Sequence, residues 1–153
     1  MDDSQWRAAA ISLFNEAWSY IDLENRSPDE ERMMLATALG SLACWRKVGD
    51  EKNFSVSDWQ VSRVYALIGD ADLARIYGES ALGFAKAGAL EPFYVGFAYE
   101  SLARAAFVAG DVSLARRHIA SATARAGNVA DVRDRQLLDT ALADLESRLP
   151  GAP

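Results

Sequence analysis

Arg63 and Arg104 stand 41 residues apart, each with an aromatic or acidic residue one helical turn before it: Trp59 before Arg63, Glu100 before Arg104, with Tyr99 adjoining. A guanidinium offers a planar fork of donors that matches a carboxylate, and indole and phenol rings supply apolar wall with a polar edge. Together with Trp45, the residues Trp59, Arg63, Tyr99, Glu100 and Arg104 compose a candidate aromatic-walled pocket with two cations. Such a pocket suits a carboxylate, a peptide terminus or an acidic side chain. The competing account is an Arg–Glu network between helices, with the aromatics filling core. Glu100, at i,i+4 to Arg104 and within reach of Arg63, is its expected carboxylate. Both accounts require Arg63 and Arg104 to be partly buried on one side of the molecule.

The groups that carry catalysis or metals are sparse. His118 is the single histidine, in Arg116-Arg117-His118, with no Glu three residues before it and no His-Glu-x-x-His. No nucleophile elbow, phosphate loop or dinucleotide fingerprint occurs. The single Cys44, beside Trp45, reads as a small buried hydrophobe. The acidic clusters Asp29-Glu30-Glu31 and Asp50-Glu51 read as helix-start charges that complement the macrodipole, and Asp131/Arg135 and Asp144/Arg148 as i,i+4 surface pairs. The expectation is no catalytic residue, no metal and no cofactor.

The elements that hold these residues are helices. Trp6, Ala10, Leu13, Phe14, Ala17, Trp18 and Ile21 mark one apolar stripe. Ser27-Pro28-Asp29-Glu30 supplies a capping box and a Pro at the first helical position. A polar connection is expected over 50–56, with Ser55 or Ser57 capping a third helix. Asp70, Glu91-Pro92, Asp111 and Asp131 open four more. Gly49, Gly69, Gly88, Gly110 and Gly127 are expected to close their helices in the left-handed conformation. The last helix carries Leu138, Leu142 and Leu145 inward, with Asp139, Asp144 and Glu146 facing solvent. The reading is all-α, about seven helices and no sheet.

Gly69-Asp70 and Gly110-Asp111 make turns so short that their helices must be antiparallel neighbours. The two hairpins also match: Arg63, Gly69, Asp70, Leu73, Ala74, Arg75, Ser80 and Ala81 correspond to Arg104, Gly110, Asp111, Leu114, Ala115, Arg116, Ser121 and Ala122 at a constant offset of 41. The strings Val61-Ser62-x2-Tyr65-x3-Gly69-x4-Ala74-x3-Gly78-x2-Ala81 and Leu102-Ala103-x2-Ala106-x3-Gly110-x4-Ala115-x3-Ile119-x2-Ala122 resemble the tetratricopeptide repeat (TPR), a helix-turn-helix unit of about 34 residues. The chain departs from that pattern where Gly78 and Ile119 replace the aromatic, in lacking the closing Pro, and in its longer period. The resemblance spans roughly residues 58–127. Residues 58–65 and 97–104, with Phe14-Asn15-Glu16-Ala17-Trp18 and Trp45-x2-Val48-Gly49, are also similar to a small bacterial family of uncharacterised helical proteins.

The resemblance implies antiparallel hairpins stacked as a right-handed superhelix, the first helix of each lining one, often concave, binding face. The single domain expected over 1–153 divides into an N-terminal hairpin (1–49), two repeat-like hairpins (55–127) and a capping helix (130–149). The 153 residues carry a net charge of −6, and only three of the sixteen basic residues are Lys, so nucleic acid is a poor partner. Apolar runs are too short to span a membrane. The acidic start Met1-Asp2-Asp3 is unlike a signal peptide, and the expected compartment is the cytoplasm. The function these readings point to is a non-enzymatic protein- or peptide-binding module. The alternative is a sensor or enzyme taking a small anionic molecule in the Trp/Arg/Tyr pocket. Trp6 and Trp18 are also candidates for a homodimer contact.

Overall fold

A computed structural model describes residues 1–151. Seven helices follow one another: α1 (Asp3–Ile21), α2 (Pro28–Val48), α3 (Glu51–Leu67), α4 (Ala71–Ala87), α5 (Pro92–Val108), α6 (Val112–Ala126) and α7 (Val132–Arg148), with no strand among the described residues. Side-chain caps start six of them. Asp2, Ser27 and Asp50 form reciprocal capping boxes with Gln5, Glu30 and Asn53, and Asp70, Asp111 and Asp131 each accept one backbone N–H. Glu91 makes no cap bond, and Pro92 at the first position pre-sets the torsion of α5.

Consecutive pairs α1/α2, α3/α4 and α5/α6 form antiparallel hairpins; α4 packs on α5, α3 on α2 and α5, and α7 covers α5 and α6. Small residues let the axes approach: Ala10, Ala17, Ala38, Ala74, Ala81, Ala103, Ala115 and Ala122 are fully or almost fully buried. At Gly96 the approach is closest, for a Cβ there would sit 2.5 Å from Leu138 Cδ2 of α7. The inward stripe of α7, Leu138, Leu142 and Leu145, is buried in one cluster with Ala103, Ala106 and Ile119.

The two repeat turns are alike in detail. Gly69 (φ +86°) and Gly110 (φ +78°) take the left-handed conformation, and the N–H groups of Asp70 and Asp111 reach back to the carbonyls of Tyr65 and Ala106, each at 2.9 Å. These are Schellman closures, with glycine where the positive φ would strain an L side chain although the space around it is open.

The other three glycines differ from expectation. Gly49, Gly88 and Gly127 have φ of −89°, −82° and −60°. After α4 the left-handed position is Ala89 (φ 47°), and Leu90 N–H closes onto Ala85. Gly88 is small for another reason: a Cβ there would lie 2.7 Å from Glu51 Cβ. The polar connection expected over 50–56 is likewise helical from Glu51, because Asp50 caps it and tertiary bonds hold the first turns. Ser55 Oγ donates to Ala81 O at 2.8 Å, and Phe54 packs edge-on against Phe84 at 5.2 Å. On α7, Arg135 pairs with Asp139 rather than Asp131, whose carboxylate caps the helix, while Arg148 pairs with Asp144 as expected.

Candidate functional site

The odd-numbered helices share one side of the molecule and form a trough. Its centre is an open hollow of about 500 Å³, lined by Trp18 of α1, Ser55, Val56, Trp59 and Arg63 of α3, Phe93, Tyr94 and Phe97 of α5, and Leu137 of α7. The rings form an unbroken series. Centroids are 6.4 Å apart for Phe14–Trp18, 5.6 Å for Trp18–Trp59, 5.4 Å for Trp59–Phe97 and 5.0 Å for Phe97–Phe93. Edge and tilted geometries such as these suit the ring quadrupoles. A smaller hollow of about 200 Å³ continues toward α1 past Ile11, Phe14, Trp45 and Val56. A shallower one continues toward α7, between Arg63, Arg104, Arg133, Leu137 and Asp144.

Trp59, Arg63, Glu100 and Arg104 meet here. Glu100 is fully buried, and both its oxygens are engaged: Oε1 accepts from Arg104 Nε, and Oε2 from Trp59 Nε1 at 3.2 Å. Glu100 thus spends its second oxygen on the indole, not on Arg63. Arg63 lies half-buried with its guanidinium over the Trp18 ring, 5.5 Å from the centroid. Among the described residues no ion pair reaches it, and its buried Nε has no acceptor. An unmet buried donor costs about 1–3 kcal/mol. Burial first, and then the positive charge of Arg104, push the Arg63 pKa below its ordinary value; Glu100, Asp22 and Asp144 pull the other way.

Trp45 and Tyr99 are not part of this constellation. Trp45, on α2, packs with Ala10, Cys44, Trp6 and Leu13 beneath the guanidinium of Arg7, and touches the trough only at its α1 end. Tyr99 is one residue from Glu100 and therefore about 100° round the helix. It turns toward α6 and α4, tilted against His118 at 6.2 Å and lying under Lys86 at 5.8 Å. Desolvation by burial, followed by Arg117, lowers the pKa of His118.

Sequence reasoning overlooked Phe93, Phe97 and Leu137 as lining groups and read Trp18 only as stripe or dimer contact. For the two phenylalanines the signal was present: Phe93 and Phe97 precede Glu100 and Arg104 at helical spacing. A second buried charge was also overlooked. Asp58, fully buried on α3, binds Arg46 at 2.7 Å and accepts from Ser80. Arg46 is held between Phe54 and Phe84, at 4.7 and 4.9 Å from the ring centroids. Burial raises the Asp58 pKa, more than Ser80 and Arg46 lower it. Asp58 faces the α3/α4 seam rather than the trough, and it reads as internal structure.

Among the described residues no three His, Cys, Asp or Glu side chains converge as a metal site, and no helix is long and apolar enough to cross a membrane. Compared with known proteins, the chain matches no family model, no curated protein and no solved structure.

Proposed function

We propose that this chain is a binding module of TPR-like hairpins whose trough along α1, α3, α5 and α7 receives a peptide segment of a partner protein. The observation that carries the reading is the continuous aromatic floor, Phe14 to Phe93, left open to solvent and flanked by the exposed Ile11 and Leu137. Open rings of this kind are apolar area that a partner can bury. A large apolar side chain enters between Trp18, Trp59 and Phe97. Glu100 serves as a positioning residue, holding the indole of Trp59 and the guanidinium of Arg104. The trough runs on beyond the central hollow at both ends, which suits an extended segment.

Selection of a random displayed peptide library on the purified protein tests this, followed by titration of a selected peptide against tryptophan fluorescence. Trp59→Phe tests the indole bond, and Phe97→Ala the wall. Phe97→Ala is expected to weaken the peptide by about tenfold or more, as central aromatic anchors do. A library that yields no binder, or binders indifferent to Phe97→Ala, overturns the reading. The alternative, a small apolar anion held in the central hollow, is favoured by one observation: its size lies within the roughly 300–1,000 Å³ of small-molecule pockets.

A further inference from the structure

Resting on the peptide-binding reading, we infer that the trough recognises a single carboxylate side chain, Asp or Glu, placed beside the partner's large apolar anchor, and that Arg63 receives it.

The charges around the α7 end of the trough do not balance. Arg63, Arg104 and Arg133 line it, against Asp144 alone on its wall. Asp144 is engaged by Arg148 at 3.1 Å, and Glu100 beneath is satisfied by Arg104 and Trp59. Asp144 and Glu100 therefore both have partners, and the exposed Asp22 after α1 acts on Arg63 through its charge without forming an ion pair. Among the described residues Arg63 thus has the face of Trp18 and no anion in contact. The unmet donor is not a remnant of an internal network, because Glu100 is already engaged by Arg104 and Trp59, and Asp58 by Arg46 and Ser80. A planar guanidinium resting on an aromatic face is pre-organised, so a carboxylate that meets it orders little else.

Among the described residues, Arg63 is also the one cation that lines both the aromatic hollow and the α7 hollow. A group bound to it has the ring wall on one side, which ties the acidic and apolar anchors to nearby positions of one peptide. The molecule as a whole carries −6. Its field disfavours a strongly acidic partner. The local excess is therefore matched by one carboxylate in an otherwise apolar segment, not by an acidic run.

A selected peptide and its isosteric amide counterpart (Glu to Gln or Asp to Asn in the peptide) are titrated against the wild-type chain, Arg63→Met and Arg63→Lys. On the wild type the amide peptide is expected to bind about tenfold or more weaker, the scale of one charge-assisted hydrogen bond. On Arg63→Met the two peptides are expected to bind alike, and Arg63→Lys restores part of the difference. Arg63→Met, which removes an unpaired charge and keeps a long apolar stem against Trp18, is expected to melt at or above the wild-type temperature. A strong fall in melting temperature would make Arg63 structural and overturn the inference. So would equal loss for both peptides on Arg63→Met. Selected peptides that lack acids yet depend on Phe97 overturn it while leaving the peptide-binding reading intact. A library with no binder overturns both.

Discussion

Hairpins α3/α4 and α5/α6 repeat one another at an offset of 41 and turn through the same Schellman closure, but their seams are of opposite chemistry. Between α3 and α4, Ser55 donates to Ala81 O at 2.8 Å, Ser62 donates to Ala74 O at 2.7 Å, and Asp58 sits with Ser80 and Arg46. At the equivalent places α5 has Gly96, Ala103 and Tyr99. There Ala103, Ala106, Ala115, Ile119 and Ala122 form an apolar seam that the leucines of α7 complete. The hydroxyl–carbonyl bonds set register between α3 and α4 through direction, at the cost of burying a carboxylate. Between α5 and α6 register comes from shape, and α7 is needed to cover it. The stacked pair Tyr65–Tyr77, 5.6 Å apart, becomes Ala106 and His118, which line a hollow of about 390 Å³ instead.

The sharpest way to break the contrast is Arg46→Ala, which leaves the Asp58 carboxylate buried without a counter-ion. Urea unfolding is expected to show a loss of about 3–5 kcal/mol, because breaking a buried pair strands the remaining charge. The same centre has a pH signature. The folded-state pKa of Asp58 lies above its ordinary 3.8, so the folded state holds this proton more tightly than the unfolded chain does. Its contribution to stability is therefore greatest at low pH and is lost as pH rises from 3.8 through the raised value. Asp58→Asn removes that slope. Parallel stability–pH curves for Asp58→Asn and wild type across this window would show that Asp58 does not titrate as its burial requires.

Gly78 and Ile119 occupy one repeat position with very different room. A Cβ at Gly78 would meet Leu102 Cδ2 at 2.9 Å and Ser101 Oγ at 3.0 Å, whereas Ile119 is accommodated whole and is nearly buried. Gly78→Ala is expected to cost up to about 2 kcal/mol by urea unfolding, the clash of about 1–3 kcal/mol being offset in part by a helix-propensity gain of about 1 kcal/mol. A stabilised Gly78→Ala variant would mean that α4 and α5 are less tightly apposed than α6 and its neighbours.

The smallest effect belongs to the hydroxyls. Ser62→Ala is expected to cost about 1 kcal/mol, a drop of about 2–4 °C in melting temperature, since the Ala74 carbonyl keeps its helical partner. The reciprocal Ala103→Ser, which writes the polar seam into α5, is expected to change stability by less than that in thermal melts. A Ser62→Ala variant that melts with the wild type would show that apposition of the small residues alone sets the α3/α4 register.

The elements were legible because their causes are local. Aspartate caps, Pro92, and glycines at 69 and 110 act within a few residues of themselves, so all seven helices could be read from periodicity and punctuation. The start of α3 was not, since Glu51-Lys52-Asn53 is polar on its face. Its helical state depends on the Asn53–Asp50 box and on Ser55 and Phe54 reaching α4. Gly88 misled for a related reason: a glycine at a helix end signals either a torsion or a lack of room, and only the distance to Glu51 distinguishes them.

The site divides in the same way. Spacing within one helix is enough to place Glu100 against Arg104, and repeat equivalence is enough to put Arg63 and Arg104 on the same side of the stack. Which residue satisfies the second oxygen of Glu100, which ring Arg63 rests on, and whether Trp45 and Tyr99 join them depend on the rotation and separation of four different helices. Those are set by the packing of Ala17, Gly96, Leu138 and their neighbours across the core. A helix's own sequence determines that it forms and which stripe is apolar, because those terms are local in the chain. What two helices present to each other is decided only when side-chain volumes from distant segments interlock.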